Sequence, residues 1–195
     1  MMPTGHDTVQ RYLGDLIAVV RHVSEAVERH SRDDALNRVV GGAAVVTNAS
    51  DVLKRQLSAL EYHATTIGGV GMAGVIKEAV TSLSGFLTGL YGSIRGEAAS
   101  RMLRDDYTGL SFVSMCTAML HTTALAVGDD RTADLTRQHL DELPPVILAI
   151  SELVPHAVVA DLAADRVPIV DPDAPTLAIK HLIDSWRTQP STDDA

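Results

Sequence analysis

The sequence is poor in the residues that build disulfide-linked domains and β-sheets. It contains 1 cysteine, Cys116, so no disulfide can form within the chain. Aromatic residues make up only 4% of its 195 residues, whereas sheets draw heavily on Tyr, Phe and Trp. Hydrophobic residues reach 46% and are mostly Ala, Val and Leu, a composition that favours close-packed helices in one domain. We therefore predict an all-α protein.

Positive charge is also scarce. The chain has 16 lysines and arginines against 25 aspartates and glutamates, which gives a net charge of −9. This charge repels phosphate backbones and no basic cluster offsets it, so nucleic-acid binding is not expected. The stretch 1–7 lacks the basic and apolar regions of a signal peptide, which predicts a soluble, cytoplasmic protein.

One long stretch has no charge at all. No Asp, Glu, Lys or Arg occurs between Asp106 and Asp129, and a helix of that length can cross a bilayer. Ser, Thr and His side chains are spread through the stretch, and such residues are unfavourable in a lipid-facing helix. We therefore expect a buried central helix and no membrane association.

The first third of the chain has the pattern of two amphipathic helices. Apolar residues recur every three or four positions over 8–29 and again over 34–63. Polar residues at 31–33 interrupt the pattern. Because the connection is short, the two helices should be antiparallel neighbours.

Glycine interrupts the pattern twice in the middle of the chain. Glycines at 68–71 should end the second helix, because glycine loses much backbone entropy in a helix. A shorter helix is expected over 72–91, before a second break at 92–96. The third long helix is predicted over 97–127, with residues 128–130 ending it and starting the next.

Proline shapes the last third of the chain. The fourth long helix should begin near Arg131, and Pro144-Pro145 should break or kink it because proline lacks an amide donor. A further bend is expected at Pro155. Prolines within 167–175 predict an extended strap, and the apolar pattern that follows predicts a short helix around Trp186.

These elements predict two parts of unequal size. Residues 1–165 should form a helical bundle, and residues 166–195 a proline-rich strap, a short amphipathic helix and a polar tail. The helix around Trp186 has an apolar face that can pack on its own bundle or dock on a protein partner. A second copy is the favoured partner, so we expect a homo-oligomer and favour a dimer.

Several short stretches resemble a known family. Residues 103–108 (Leu-Arg-Asp-Asp-Tyr-Thr), continuing through 119–129, resemble the third helix of ferritin-like proteins, in particular the YciE-type stress proteins and related bacterial ferritin-like proteins. Residues 12–16 (Tyr-Leu-Gly-Asp-Leu) resemble the start of their first helix, and 135–142 the start of their fourth. The resemblance covers 8–163 and implies a ferritin-like four-helix bundle with a short crossover helix.

The resemblance also implies a di-metal site, in which carboxylates combine with Glu-x-x-His pairs. No Glu or Asp of this chain has a histidine three positions later. Two reversed pairs remain: His22 with Glu25, which suits a solvated face, and His139 with Glu142. With Asp15, the second pair gives the candidate ligands for iron or another divalent metal. Three such ligands would form a weak, open site at most.

Three further patterns have simpler structural explanations. The glycines of residues 69–74 match a dinucleotide-binding loop, but a helix precedes them where that loop needs a strand, so we predict a turn. Met115, Cys116 and Met119 could bind a soft ion such as Cu(I), although core packing is the commoner role of such residues. His121 is expected to be a core imidazole bonded to a neighbouring hydroxyl or carbonyl group.

No complete catalytic constellation occurs in the sequence. We therefore predict a non-catalytic ferritin-like bundle without a cofactor, with a structural, stress-related or interaction role. Two alternatives stay open: a weak metal-binding or redox protein that uses Asp15, His139 and Glu142, and a carrier of an apolar small ligand whose pocket the third helix lines. The preferred hypothesis assumes a dry, apolar interior with too few ligands for two metal ions.

Overall fold

The structure, a computed structural model, describes residues 4–67, 74–77, 79 and 98–187. The regular elements in these ranges are all helical, which confirms the all-α prediction. They are α1 (Gly5–His30), a 3-10 helix (Asp34–Arg38), α2 (Gly42–Ile67), α3 (Ala99–Val127), α4 (Asp130–Ala164) and α5 (Ala174–Arg187). The predicted glycine loop at 69–74 and helix over 72–91 lie outside the described residues, except for 74–77 and 79, which are helical.

Capping residues explain where several helices begin and end. Thr4 and Asp7 form a reciprocal capping box at the start of α1. Gly128 ends α3 with a left-handed φ of 74°, which glycine adopts without steric cost. The Asp129 side chain then accepts a hydrogen bond from the Thr132 amide and caps α4. The predicted capping by residues 128–130 is confirmed.

The second helix begins later than predicted. The chain first forms the 3-10 helix and then turns at Gly41, whose φ is 77°. A residue in this left-handed conformation cannot continue a right-handed helix, so α2 starts only at Gly42. The prediction of a helix from residue 34 is wrong for its first two turns.

Prolines do not break α4. Pro144, Pro145 and Pro155 all lie inside this helix, which continues over 35 residues. The first two are exposed at the surface, so water can bond the carbonyl groups that lose their helical amide donors. Of the predicted break or kink at Pro144-Pro145, the break is therefore wrong and the kink stays a prediction.

Each of the four long helices packs against two of the others. Helix α1 contacts α2 and α3, and α4 contacts the same two helices. Neighbours run antiparallel, since hydrogen bonds join the beginning of one helix to the end of another: Gln10 to Ile67, His30 to Asp106, and His63 to Thr132. Helices α2 and α3 therefore point in the same direction.

The core lies between these helices and is centred on α1. The apolar stripe predicted for this helix is buried at every position: Val9, Leu13, Leu16, Val20, Val23 and Val27. Large side chains from the other helices complete the core: Leu53, Leu60, Leu103, Leu110, Leu120, Leu143 and Ile150. Burial of these aliphatic groups is the main stabilising contribution.

The C-terminal helix packs on its own chain. Helix α5 contacts α4, and Leu182 lies with Tyr107, Val154 and Pro155 around a small apolar depression. The non-helical stretch before α5 covers 165–173. It begins and ends two residues earlier than the predicted strap, because Pro175 lies in the first turn of α5, where its missing amide costs no hydrogen bond.

Helix α3 is not the buried central helix predicted from its lack of charge. Among the described helices it packs mainly on α1 and α4, and its opposite face reaches the surface, where Met115 is 62% exposed and Met119 is also exposed. The expected core packing of these two methionines is therefore wrong. Helices α3 and α4 are each long and apolar enough to cross a membrane. Core helices of soluble proteins meet the same criterion.

Candidate functional site

A buried glutamine and a buried histidine meet between α2 and α4. Gln56 Nε2 donates to the His139 carbonyl oxygen at 3.3 Å and to Glu142 Oε2 at 3.1 Å. The exposed fractions of Gln56 and His139 are 1% and 4%, whereas Glu142 reaches the surface. Among the described residues, His139 Nδ1 and Gln56 Oε1 find no hydrogen-bond partner. Since buried polar atoms are normally hydrogen-bonded, the space around Gln56 and His139 is suited to hold a water molecule or an ion.

The environment of His139 keeps its imidazole neutral. Burial lowers the pKa of His139 to about 4, although the nearby Glu142 carboxylate acts in the opposite direction. A neutral imidazole has one nitrogen with a free lone pair, as metal ligation or proton acceptance requires. At neutral pH, His139 is therefore in the neutral form that can bind a metal ion or accept a proton.

The structure brings together two of the three predicted metal ligands. His139 and Glu142 of α4 both accept hydrogen bonds from Gln56 of α2, whereas Asp15 is half-buried on α1. The Asp15 charge acts on Cys116, and together with the larger effect of burial it raises the pKa of that thiol to about 11. Across the described ranges, no three or more His, Cys, Asp or Glu side chains form a group that could hold a metal ion.

The donor set at this level does not fit a pair of divalent ions. One imidazole and one carboxylate are fewer protein ligands than even a single catalytic zinc ion usually has. The third polar group is the Gln56 amide, whose NH₂ group donates to the Glu142 carboxylate. An amide in that orientation competes with a cation for the same oxygen.

A buried histidine–aspartate pair that the sequence analysis missed joins α1 to α3. His30 Nδ1 donates to Asp106 Oδ1 at 2.7 Å. The Asp106 side chain is fully buried and that of His30 is 13% exposed. In the sequence, Asp106 stands out only as the boundary of the uncharged stretch. The buried stripe of α3 through Leu110, however, leads back to Asp106 one helical turn earlier.

Two other histidines also bond across helix pairs. His63 Nε2 lies 2.8 Å from Thr132 Oγ1, which donates to Asp129 Oδ2 at 2.7 Å. Burial lowers the pKa of His63, while the Asp129 charge raises it by a smaller amount. His121 Nδ1 donates to the Ala133 carbonyl oxygen at 3.0 Å, and it also lies beside a threonine hydroxyl. The predicted bonding of His121 is therefore confirmed.

The interior is consequently less apolar than predicted. Ten polar residues are buried in the described part of the chain: Ser24, Ser50, Gln56, His63, Asp106, Thr117, Thr132, Thr136, His139 and Ser151. The His30–Asp106 contact lies at the end of α1, whereas His63 and His121 both bond to threonines in the first two turns of α4, and His139 follows one turn later. The expectation of a dry, oily interior is wrong in this respect, because polar groups that bond to each other can be buried at little cost.

An open apolar groove offers a different kind of site. Its volume is about 780 Å³, and it lies between the 3-10 helix, the second half of α4 and α5. Aliphatic side chains line most of it, including Val45, Leu153 and Ile179, with Arg38 and His156 as polar members. A groove of this size and composition can take an apolar small molecule. It is separate from the third helix, where the sequence analysis placed such a pocket.

Comparisons of the chain with protein-family models, with curated proteins and with solved structures find no match. The resemblance to ferritin-like proteins therefore depends on the sequence stretches quoted above.

Proposed function

We propose that this protein is a non-catalytic, ferritin-like four-helix bundle that acts as a homo-oligomeric structural, stress-related or interaction module in the cytoplasm. The observation that carries the proposal is the use of the buried polar side chains. His30, His63 and His121 each bond to groups of one neighbouring helix. His63 and His121 meet adjacent turns of α4, while His30 bonds to the start of α3. Polar side chains that bond to groups of adjacent helices in this way stabilise the packing.

The helix arrangement supports the ferritin-like part of the proposal. The four long helices form two antiparallel pairs of helices that follow one another in the chain, α1 with α2 and α3 with α4. Helices α2 and α3 point the same way, so the end of α2 and the start of α3 lie at opposite ends of the structure. A four-helix bundle with one long crossover connection has this connectivity.

A weak metal-binding protein is the second candidate. Its support is the pair of buried atoms, His139 Nδ1 and Gln56 Oε1, that lack hydrogen-bond partners among the described residues. With Glu142, these atoms offer one nitrogen and two oxygens to a single divalent ion. Such a site would be low in affinity, because it has one charged ligand and that ligand is exposed.

Metal analysis distinguishes these two candidates. Protein purified without added metal and then equilibrated with Fe²⁺, Mn²⁺ or Zn²⁺ should retain far less than one ion per chain after gel filtration, measured by inductively coupled plasma mass spectrometry. One retained ion that is lost in His139→Ala but kept in His121→Ala would favour the metal-binding candidate. Two retained ions per chain with rapid oxidation of Fe²⁺ would overturn the proposed function.

A further inference from the structure

We infer that the open apolar groove beside α4 binds one long-chain fatty acid, and that Arg38 binds its carboxylate group. The inference goes beyond the proposed function and does not rest on it, because a non-catalytic bundle can bind such a ligand at its surface without any reaction.

The groove is elongated and follows the second half of α4. Its α4 wall extends from Ala149 to Ala163, which is about 21 Å at the α-helical rise per residue. The 3-10 helix, the turn before α2 and Ile179 of α5 form the other walls. The volume of about 780 Å³ is in the range of small-molecule sites. An apolar groove of this length matches an extended aliphatic chain.

The turn before α2 holds an aliphatic side chain in water at the groove. Val40 is 96% exposed, whereas the adjacent Val39 is 4% exposed and belongs to the core. Both residues line the groove. An aliphatic chain in the groove would remove Val40 from water together with the apolar wall, and this burial would supply most of the binding energy.

Positive charge lies at one end of the groove. Arg38 is half-exposed, and its Nη2 lies 3.7 Å from Asp161 Oδ1, a distance too long for a hydrogen bond. The two Asp161 oxygens already accept hydrogen bonds from the first amides of α3, those of Ala99 at 3.0 Å and Ser100 at 2.9 Å. The guanidinium group of Arg38 therefore has donors left for a ligand carboxylate, which arginine binds through two parallel hydrogen bonds.

The charges along α4 favour one direction of the ligand. Glu152 lines the groove nine residues before Asp161, about 14 Å from the Arg38 end along the helix axis. A ligand carboxylate near Glu152 would be repelled, whereas one beside Arg38 is attracted. Glu152 and His156 are both exposed, so an aliphatic chain can pass them without burying a charge. The chain should therefore extend from Arg38 toward Ala149.

The first test separates the carboxylate from the aliphatic chain. Dansyl-undecanoic acid should bind saturably at one probe per chain, with a rise in fluorescence, and myristate should displace it. Arg38→Ala should weaken myristate binding about tenfold, through the loss of a charge-assisted hydrogen bond. Myristyl alcohol, which has the same chain without a charge, should bind the wild type and Arg38→Ala equally.

A second exposed arginine provides the matched control for this test. Arg137 is also on the protein surface and in an ion pair, with Asp141, and it lies outside the groove. Arg137→Ala should bind myristate as tightly as the wild type does.

The second test obstructs the groove. Ala149→Trp places a large side chain in the α4 wall and should abolish saturable probe binding. Leu148→Trp is the matched control, because Leu148 is 45% exposed and does not line the groove; its binding should be unchanged. Val40→Asp places a negative charge at the groove and should weaken myristate binding. Val40 has almost no contacts to lose, so this variant keeps its fold, which circular dichroism verifies.

Three results would overturn the inference. Probe binding that does not saturate, or that is equal in Val40→Asp and the wild type, would exclude a specific site in the groove. Myristate binding that Arg38→Ala leaves unchanged would exclude recognition of the carboxylate. A wild-type dimer that binds no fatty acid and becomes monomeric in Val40→Asp would assign the groove to a second copy. The metal analysis tests the proposed function independently of all three results.

Discussion

Replacing Asp106 with alanine is expected to lower the free energy of unfolding by about 1–3 kcal/mol, the usual cost of removing one partner of a buried hydrogen bond. Its carboxylate is fully buried and accepts the 2.7 Å hydrogen bond from His30. The variant removes that acceptor and leaves the His30 imidazole largely buried beside an apolar side chain. Urea unfolding followed by circular dichroism measures the loss.

An exposed aspartate of α4 provides a control of the same chemistry. Asp141 forms an ion pair with Arg137, and the two side chains are 71% and 59% exposed. Asp141→Ala should therefore cost at most about 1 kcal/mol, because solvent screens exposed ion pairs. If the two variants lose equal stability, the burial of Asp106 contributes nothing special. A double-mutant cycle with His30→Ala isolates the energy of the pair from the loss of packing.

Acidification from pH 6.5 to pH 4 should remove about 3 kcal/mol of stability through His139 alone, because a pKa shift of one unit corresponds to about 1.4 kcal/mol. The pKa of His139 is about 4 in the folded protein, lowered from 6.5 chiefly by burial. Between these values the unfolded chain binds a proton that the folded chain does not. Stability is therefore complete above pH 6.5 and is lost as the pH falls. His63, whose pKa burial also lowers, acts in the same direction.

The test of this pH dependence uses two variants of α4. His139→Gln removes the titrating group, so its free energy of unfolding should depend much less on pH over this interval than that of the wild type. His156 is an exposed histidine on the same helix, and His156→Gln should retain the full dependence. A His139→Gln variant with the wild-type slope would show that other groups cause the acid sensitivity.

The sequence predicted the helices wherever local signals determine them. The apolar stripe identifies α1, and the capping residues Gly128 and Asp129 determine where α3 ends and α4 begins. These signals are local in the sequence and do not depend on the rest of the chain. The tolerance of α4 for Pro144 could not be predicted in this way. It depends on which side of the helix faces solvent, and neighbouring helices decide that.

The exposure of α3 could not be predicted from the sequence for a related reason. A stretch without charges is equally compatible with a core helix that is covered on all sides and a peripheral helix with an interface on one side. Which helices cover α3, mainly α1 and α4 among those described, is a property of the folded chain. Sequence periodicity alone does not contain it.

The candidate site was predicted in part. His139 and Glu142 were paired by their spacing on one helix, and both do contact the Gln56 level. Gln56 was missed because an amide is a poor metal ligand, although it occupies a core position between Leu53 and Leu60. His30 and Asp106 are separated by 76 positions in the chain, and no pattern within one helix can reveal a partner at that distance.

The contact between His30 and Asp106 also sets how α1 and α3 are aligned lengthwise. Aliphatic side chains can exchange neighbours when one helix slides past another by a turn, since the attraction between them has no direction. The same slide would carry the carboxylate about 5.4 Å away from the imidazole. One polar contact near the end of a long pair of helices thus selects a single alignment for the whole pair, and leaves the identity of the surrounding aliphatic residues free to vary.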